Sequence, residues 1–479
     1  MVKSSKSIPA IKTPTIITIF GATGDLTERK LIPSLFSLYQ KKLLPEKFRI
    51  IAYSRRSLPD KVYHEFVTKA LKKKKMAYTA TELKSFLKQV SYQQGFFDTP
   101  ESYKSLKKAL VKIDMDEFGR CSNKLFHLAV PANYYEVILE NLAYYGLTIA
   151  CSEGEGWTRI LIEKPFGKDR KTAENLNQKL GKLFKEEQIF RIDHYMAKEA
   201  LQNILMFRFS NMLFEPIWNN KYIEKVEVKL FEKLDIEGRG AFYDDIGALR
   251  DVGQNHMLRM LALIAMEKPI AVDAGSISKE RTQVLKNLKK IEGADVKKYT
   301  VRGQYKGYLK EPNIKPNSTT ETYFKLETYI QNKRWEGVPF YMESGKAMKE
   351  KRTEITIYLK KSESYFCPID QTCDYQNVIQ FTVAPEEGIS VCFWAKKPGF
   401  NLELEPKTLA FNYQYNAKNQ KMVDSYERVL FDCIKGDQTF FTTTEEETAS
   451  WKFITPILEG WSKTPLQSYA QGSWGPASK

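Results

Sequence analysis

A run of β-branched and apolar residues, Thr15 to Phe20, leads directly into Gly21-Ala22-Thr23-Gly24-Asp25, and a helical apolar pattern follows from Leu26 to about Tyr39. That order of strand, glycine turn and helix limits the fold more than any other feature of the chain. A strand this uniformly apolar is buried on both faces, as in a parallel sheet covered by helices. Gly21 would allow a tight turn, and Gly24 would let the helix pack close to the strand. The helix amino end, with its unpaired N–H groups, would then face an anion such as a pyrophosphate. The spacing is GxxG and not the full GxGxxG fingerprint, and an ordinary tight turn fits the same residues.

The second strand, Phe48 to Tyr53, narrows the choice. It ends in Tyr53-Ser54-Arg55-Arg56, with no carboxylate to hold a ribose 2′-OH. An arginine there suits a 2′-phosphate, which favours NADP and points to Arg55, or to Arg56 beside it. Lys124 to Val130 and Arg159 to Glu163 read as further strands, with helical stretches such as Asn133 to Tyr145 between them. This alternation predicts a Rossmann-like, doubly wound α/β sheet over residues 1–190.

The pattern changes near Arg191. A helix is predicted from His194 to about Phe209, a strand over Val226 to Phe231 and a long helix over Gly247 to Ala265. Strand-like runs follow at Thr322 to Ile330, Thr353 to Leu359, Val378 to Thr382 and Gly388 to Phe393. Without regular helices between them, they predict a larger α+β domain over residues 191–479 with a mainly antiparallel sheet.

Composition bears on partners and compartment. The 479 residues carry a formal charge of +16, which implies affinity for anions: nucleic acid, an acidic membrane surface or phosphorylated small molecules. The lysine run Lys72 to Lys75 reads as a solvated face, and no aromatic residues interleave it as in a single-strand binding groove. No nucleic-acid motif is present. No apolar run approaches a bilayer span, and Met1 to Lys12 lacks the apolar centre of a secretory signal. Cys121, Cys151, Cys367, Cys373, Cys392 and Cys433 form no CxxC pair and no Cys/His cluster, so no metal site is read. Read as six free thiols, they fit a reducing, cytoplasmic setting.

Four histidines can be weighed singly. His64, in an amphipathic helix with no evident partner, reads as surface, and His127 reads as a satisfied residue within a strand. His194 follows Asp193 and precedes Tyr195, with Lys198 four residues on. If Asp193 caps a helix there, His194 and Lys198 share one face of its first turns and, with Tyr195, form a phosphate site; a solvated helix start is the plainer alternative. His256 lies mid-helix with apolar i±4 neighbours Val252 and Met260, which suits a core histidine. Asp251, Gln254 and Asn255 crowd the same helix, and Gly253 would let another backbone or a ligand approach. An imidazole oriented by a carboxylate is what abstraction of a hydroxyl proton requires.

Taken together, the segments GATGDL (Gly21 to Leu26), EKPFG (Glu163 to Gly167), RIDHYMAKE (Arg191 to Glu199), FEPIWN (Phe214 to Asn219), RDVGQNH (Arg250 to His256), RGQY (Arg302 to Tyr305), RWEGVPFYMESGK (Arg334 to Lys346) and GSWGP (Gly472 to Pro476) resemble, in order and spacing, the signatures of the glucose-6-phosphate dehydrogenase family. The resemblance runs from about residue 15 to about 476. It implies oxidation of a phosphorylated hexose at C1 with hydride transfer to NADP. It places His256 as general base, with Asp193 pairing with it to stabilise the imidazolium. His194, Tyr195 and Lys198 would hold the 6-phosphate. Lys164, Glu232, Asp251 and Lys346 would contact the sugar. Gly21, Gly24, Asp25, Leu26, Lys30, Arg55 and Lys164 would lie at the cofactor, and Pro165 would be cis in at least some states. A homodimer through the large sheet is implied as well. A related hexose-phosphate dehydrogenase with another sugar, or with NAD, keeps every one of these motifs. Glu343, Ala197 and Glu28 depart from the family pattern, and Glu343 is expected to change the charge near Lys346.

Overall fold

A computed structural model describes residues 11–151, 155–361, 375–413 and 422–477. Cys367 and Cys373 lie outside the described residues. The chain forms two compact units, Met1–Ala197 with Val423–Thr444, and Lys198–Met422 with Glu445–Lys479.

The first unit is built on six parallel strands: β1 (Thr15–Phe20), β2 (Phe48–Ser54), β3 (Val90–Gln94), β4 (Asn123–Leu128), β5 (Thr158–Ile162) and β6 (Ile189–Arg191), in the order β3-β2-β1-β4-β5-β6. Alternation along β1 sends Ile17 and Ile19 into one core and Ile16 and Phe20 into the other. The first core takes Leu35 and Phe36 of helix Ile32–Gln40 and Val429, Leu430 and Cys433 of helix Ser425–Lys435. The second takes Tyr103, Leu106 and Leu110 of helix Pro100–Lys112 and Ile138, Leu139 and Leu142 of helix Tyr135–Tyr144. This is the doubly wound arrangement, and strand order reverses between β1 and β4, where such sheets bind ligands at the carboxyl ends of their strands.

Two side chains differ from what the sequence predicts. His64 is half-buried and its Nε2 meets the Val90 carbonyl oxygen at 2.8 Å, so it is not a free surface residue. Cys121 and Cys151 are joined as a disulfide, so the six cysteines are not all free thiols. Beside that pair the Lys124 ammonium donates to Asp114 at 2.7 Å and to the Ser122 carbonyl at 2.9 Å. The lysine run is exposed as expected, although Lys73 reaches Glu28 at 3.3 Å.

Helix Ser425–Lys435 carries a titration that can be read in stability. Burial pushes the Asp432 carboxyl up from 3.8 to about 6, against the pull of Arg428, whose Nε donates to it at 2.7 Å. The folded state then holds the proton more tightly than the unfolded chain. Its contribution is full below about pH 4 and is lost as pH rises through about 6. Asp432→Asn, which cannot ionise, is expected to exceed the parent at pH 8 by up to about 3 kcal/mol and to match it near pH 4. Denaturant unfolding at both pH values checks this; an equal difference at the two would contradict it.

The second unit is a nine-stranded mixed sheet of β7 (Ile223–Phe231), β8 (Thr300–Tyr305), β9 (Tyr323–Tyr329), β10 (Pro339–Gly345), β11 (Arg352–Leu359), β12 (Val378–Ala384), β13 (Gly388–Lys396), β14 (Leu404–Asn412) and β15 (Leu466–Tyr469). The order is β14-β13-β12-β11-β7-β10-β9-β8-β15, antiparallel except for β7 with β10 and β8 with β15. On β7, Val226, Val228 and Leu230 are buried while Lys225, Glu227 and Lys229 alternate with them as an ion-paired row. The stretch Leu249–Met257 is wound as a π-helix and continues as the α-helix Leu258–Ala265, every residue of which is buried. Such wide turns inside a helix are frequent at functional sites.

Candidate active site

In the first unit the glycine turn has the predicted form. Gly21 adopts φ +82°, and a Cβ there would lie 2.2 Å from the Ala129 carbonyl oxygen, so only glycine fits. Its N–H donates to Tyr53 at 3.0 Å, and the Gly24 N–H donates to Gly21 at 2.9 Å. The Thr27 hydroxyl closes the turn by donating to the Gly21 carbonyl at 3.1 Å. The helix then begins at Asp25, with Leu26 packed on the core. Asp25 pairs with Arg29 at 3.1 Å on the surface. The tight turn and the helix amino end that follows it fit a pyrophosphate, and Gly21, Gly24, Asp25 and Leu26 are the residues that would hold it.

Arg55 and Arg56 are exposed at the carboxyl end of β2. The Arg55 guanidinium donates to the Tyr134 hydroxyl at 3.3 Å and lies 5.7 Å from the centre of the Phe97 ring. This holds a cation beside the turn without neutralising it, as a 2′-phosphate contact needs. Lys30 is engaged by Asp424 at 3.1 Å, a partner from the returning segment Val423–Thr444.

Lys164 follows β5 and is half-buried, and the Lys164–Pro165 peptide is cis. Farther on, the expected helix from His194 is not found. Asp193 Oδ1 accepts the Tyr195 N–H at 3.0 Å, and the Met196 N–H donates to the Asp193 carbonyl at 3.1 Å. That local bonding makes a turn of the chain, and the helix starts only at Glu199 and runs to Phe209. Asp193 therefore caps a turn, and His194 and Lys198 do not share a helix face. Asp193 is 4% exposed, and the turn presents His194 and Tyr195 half-buried, their rings 4.9 Å apart. The Tyr426 ring, again from the returning segment, stacks on His194 at 6.4 Å and 15°.

In the second unit Lys198 donates to Glu387 at 3.3 Å and to the Val383 carbonyl at 3.2 Å. The other Glu387 oxygen accepts the Ala200 N–H at 2.9 Å. Glu232, Asp251 and Lys346, scattered in sequence, come together: the Lys346 ammonium bonds Glu232 and lies 3.2 Å from Asp251. Lys346 is 3% exposed and sits 5.2 Å from the Tyr243 ring centre.

His256 lies on the π-helical stretch and is 2% exposed, with its N–H donating to Asn255 Oδ1 at 2.6 Å. Gly253 admits close side-chain neighbours: a Cβ there would stand 2.7 Å from Leu249 and 2.9 Å from the Phe324 ring of β9. Glu343 faces Lys229 and Lys325 across the sheet and accepts the Tyr323 hydroxyl at 2.7 Å. Lys346 pairs with Glu232 and Asp251, so Glu343 is not part of that cluster. Tyr243, Glu387, Asp424 and Tyr426 were not anticipated, because their contacts join residues far apart in sequence.

A parallel doubly wound sheet with a tight glycine turn and exposed arginines at the end of its second strand, joined in one chain to a mixed sheet bearing a buried Lys–carboxylate cluster, fits the class of nicotinamide-dependent oxidoreductases acting on a polar substrate. Residues 18–203 match the pattern described as glucose-6-phosphate dehydrogenase, NAD binding domain, and residues 205–479 match its C-terminal domain. The chain is 39% identical over 470 residues to the glucose-6-phosphate 1-dehydrogenase of Borreliella burgdorferi, covering 96% of this chain and 95% of that protein. It is 40% identical over 473 residues to that of Aggregatibacter actinomycetemcomitans, covering 96% and 94%. A solved glucose-6-phosphate dehydrogenase in complex with glucose 6-phosphate superimposes with a TM-score of 0.89 at 34% identity, covering 98% of this chain and 96% of that one. The chain belongs to the glucose-6-phosphate dehydrogenase family.

Proposed function

We propose that the protein oxidises D-glucose 6-phosphate at C1 to 6-phospho-D-glucono-1,5-lactone, the first step of the oxidative pentose phosphate pathway, with His256 as general base and Asp193 as the second catalytic group. The observation that carries the site assignment is the gathering of Glu232, Asp251 and Lys346 around one buried ammonium. Two carboxylates held apart by a lysine give acceptors for sugar hydroxyls and a fixed donor between them, in a unit that also carries His256 on a buried helix. When bound, NADP supplies the acceptor for the C1 hydride. The protein's own work is to orient the hemiacetal and to take its O1 proton on the His256 imidazole. Asp193 is supported by its burial on the turn that also presents His194 and Tyr195.

His194, Tyr195 and Lys198 hold the 6-phosphate in this reading, and Lys164 contacts sugar and cofactor. Phosphate binding remote from C1 helps align the reacting atoms. Lys198→Ala is expected to raise KM for the phosphorylated sugar by about 10–100-fold while changing KM for NADP less than about threefold. Steady-state kinetics with each substrate varied checks this; equal losses in both would remove the phosphate site from Lys198.

We read the protein as a homodimer through the large sheet. In support, the β13–β14 hairpin leaves Leu409 66% and Phe411 41% exposed at one sheet edge. Light scattering on the purified protein measures this directly. Among the described residues no helix is long and apolar enough to cross a membrane. We keep the cytoplasm as its place, a reading supported by the similar protein of Arabidopsis thaliana named as cytoplasmic and not by the cysteine count.

A further inference from the structure

We propose that His127 and Glu163 form a positioning pair that sets Lys164 at the substrate, an inference that rests on the assignment of Lys164 as a substrate contact. His127 lies on β4, with Ile19 of β1 and Leu161 of β5 as its lateral neighbours, and its side chain is fully buried. An apolar residue would fill that place in the sheet; the imidazole instead turns a nitrogen to a carboxylate. Its Nε2 lies 3.0 Å from Glu163 Oε1. The other Glu163 oxygen accepts the Tyr426 hydroxyl at 3.2 Å, and the Glu163 carbonyl accepts the Tyr135 hydroxyl at 2.7 Å. Three side chains from three elements therefore hold the one residue that precedes Lys164.

The second imidazole nitrogen bears on which nitrogen donates. His127 Nδ1 is buried with no hydrogen-bond partner. In the Nε2–H tautomer the ring donates to Glu163 and leaves only a lone pair unmet at Nδ1. The opposite tautomer would bury an unpaired N–H and set a ring lone pair against a carboxylate oxygen. The geometry thus selects Nε2–H as the donor aimed at Glu163, whose side chain is 14% exposed and needs donors to be held there. With its carboxylate and carbonyl both fixed, Glu163 leaves the backbone little freedom at the next residue, where the Lys164 ammonium must meet sugar and cofactor. Alignment of reacting groups is sensitive to displacements of about 1 Å, which can cost on the order of 100-fold in rate.

The test is a set of variants measured for kcat, both KM values, NADP Kd by fluorescence and thermal midpoint. His127→Leu is expected to lower kcat about 10–100-fold while NADP Kd moves less than about threefold. His127→Gln, whose amide N–H can replace Nε2–H, is expected to recover most of that loss. In a Lys164→Ala background, His127→Leu is expected to change kcat no further, because both act through the same ammonium. Equal losses for Leu and Gln, or the same fold-loss with and without Lys164, would overturn the pair and leave His127 a packing residue. Lys164→Ala with unchanged kinetics would overturn the site assignment, and the pair with it. A damaged Lys164→Ala beside an unaffected His127→Leu overturns the pair alone. His127→Phe gives the same comparison if the leucine variant does not fold.

Discussion

His256→Asn lowers kcat by about 100- to 10,000-fold, while KM for the sugar stays within a few-fold. That is the range a positioned general base contributes, and it corresponds to about 3–5 kcal/mol of barrier. Asparagine keeps a polar side chain at a buried place on the helix but cannot take a proton near neutral pH. The bond to Asn255 Oδ1 is donated by the main-chain N–H of residue 256 and does not use the imidazole, so it survives the change. The loss should therefore appear in the chemical step and not in folding. Stopped-flow reduction of NADP, with circular dichroism as the folding control, separates the two. Turnover within about tenfold of the parent would remove His256 from the role of base.

Arg281→Met has the largest expected effect on stability, about 3–5 kcal/mol. Arg281 and Glu446 are 1% and fully buried, and they bond through Nε to Oε1 at 2.8 Å and through Nη2 to Oε2 at 3.3 Å. Removing the guanidinium leaves a carboxylate buried without its principal cation. The neighbouring Glu447 accepts from Gln254 at 2.9 Å and from Trp451 at 2.8 Å and pairs with Arg259 at 3.3 Å. Gln254 sits two residues from His256, so this buried ionic layer also anchors the helix that carries His256. Urea unfolding is expected to show the loss, and Arg281→Met combined with Glu446→Leu should regain most of it, because no charge is then stranded. A loss under about 1 kcal/mol for the single change would contradict this reading of the pair.

The central strands were legible because burial on both faces writes a continuous apolar run. β1 was read at Thr15 to Phe20, where it lies, and β2, β4 and β5 to within about two residues. β3 and β6 were missed for the converse reason: the outer strand reads Val-Ser-Tyr-Gln-Gln, and β6 is three residues long. The second sheet was anticipated as mainly antiparallel, but its parallel pairs, β7 with β10 and β8 with β15, follow from long connections that no local pattern records. The tight turn at Gly21 could be read from strand and turn alone, and charge at the end of β2 pointed to Arg55 or Arg56 without separating them. The start of helix Glu199–Phe209 could not, because Asp193 spends its side chain on the Tyr195 N–H and holds the chain out of the helix for five residues. The Lys346 cluster joins positions 232, 251 and 346, which only the resemblance to a family could connect. Nor does any spacing announce that Cys121 pairs with Cys151, or that Asp424 and Tyr426 return to the first unit.

The most direct test of the central claim is absorbance at the reduced-nicotinamide band, with glucose 6-phosphate and either NADP or NAD. Rapid reduction of NADP is expected, and slower reduction or none with NAD, if Arg55 or Arg56 meets the 2′-phosphate as proposed. No reduction with either nucleotide, in protein shown to be folded, would contradict it.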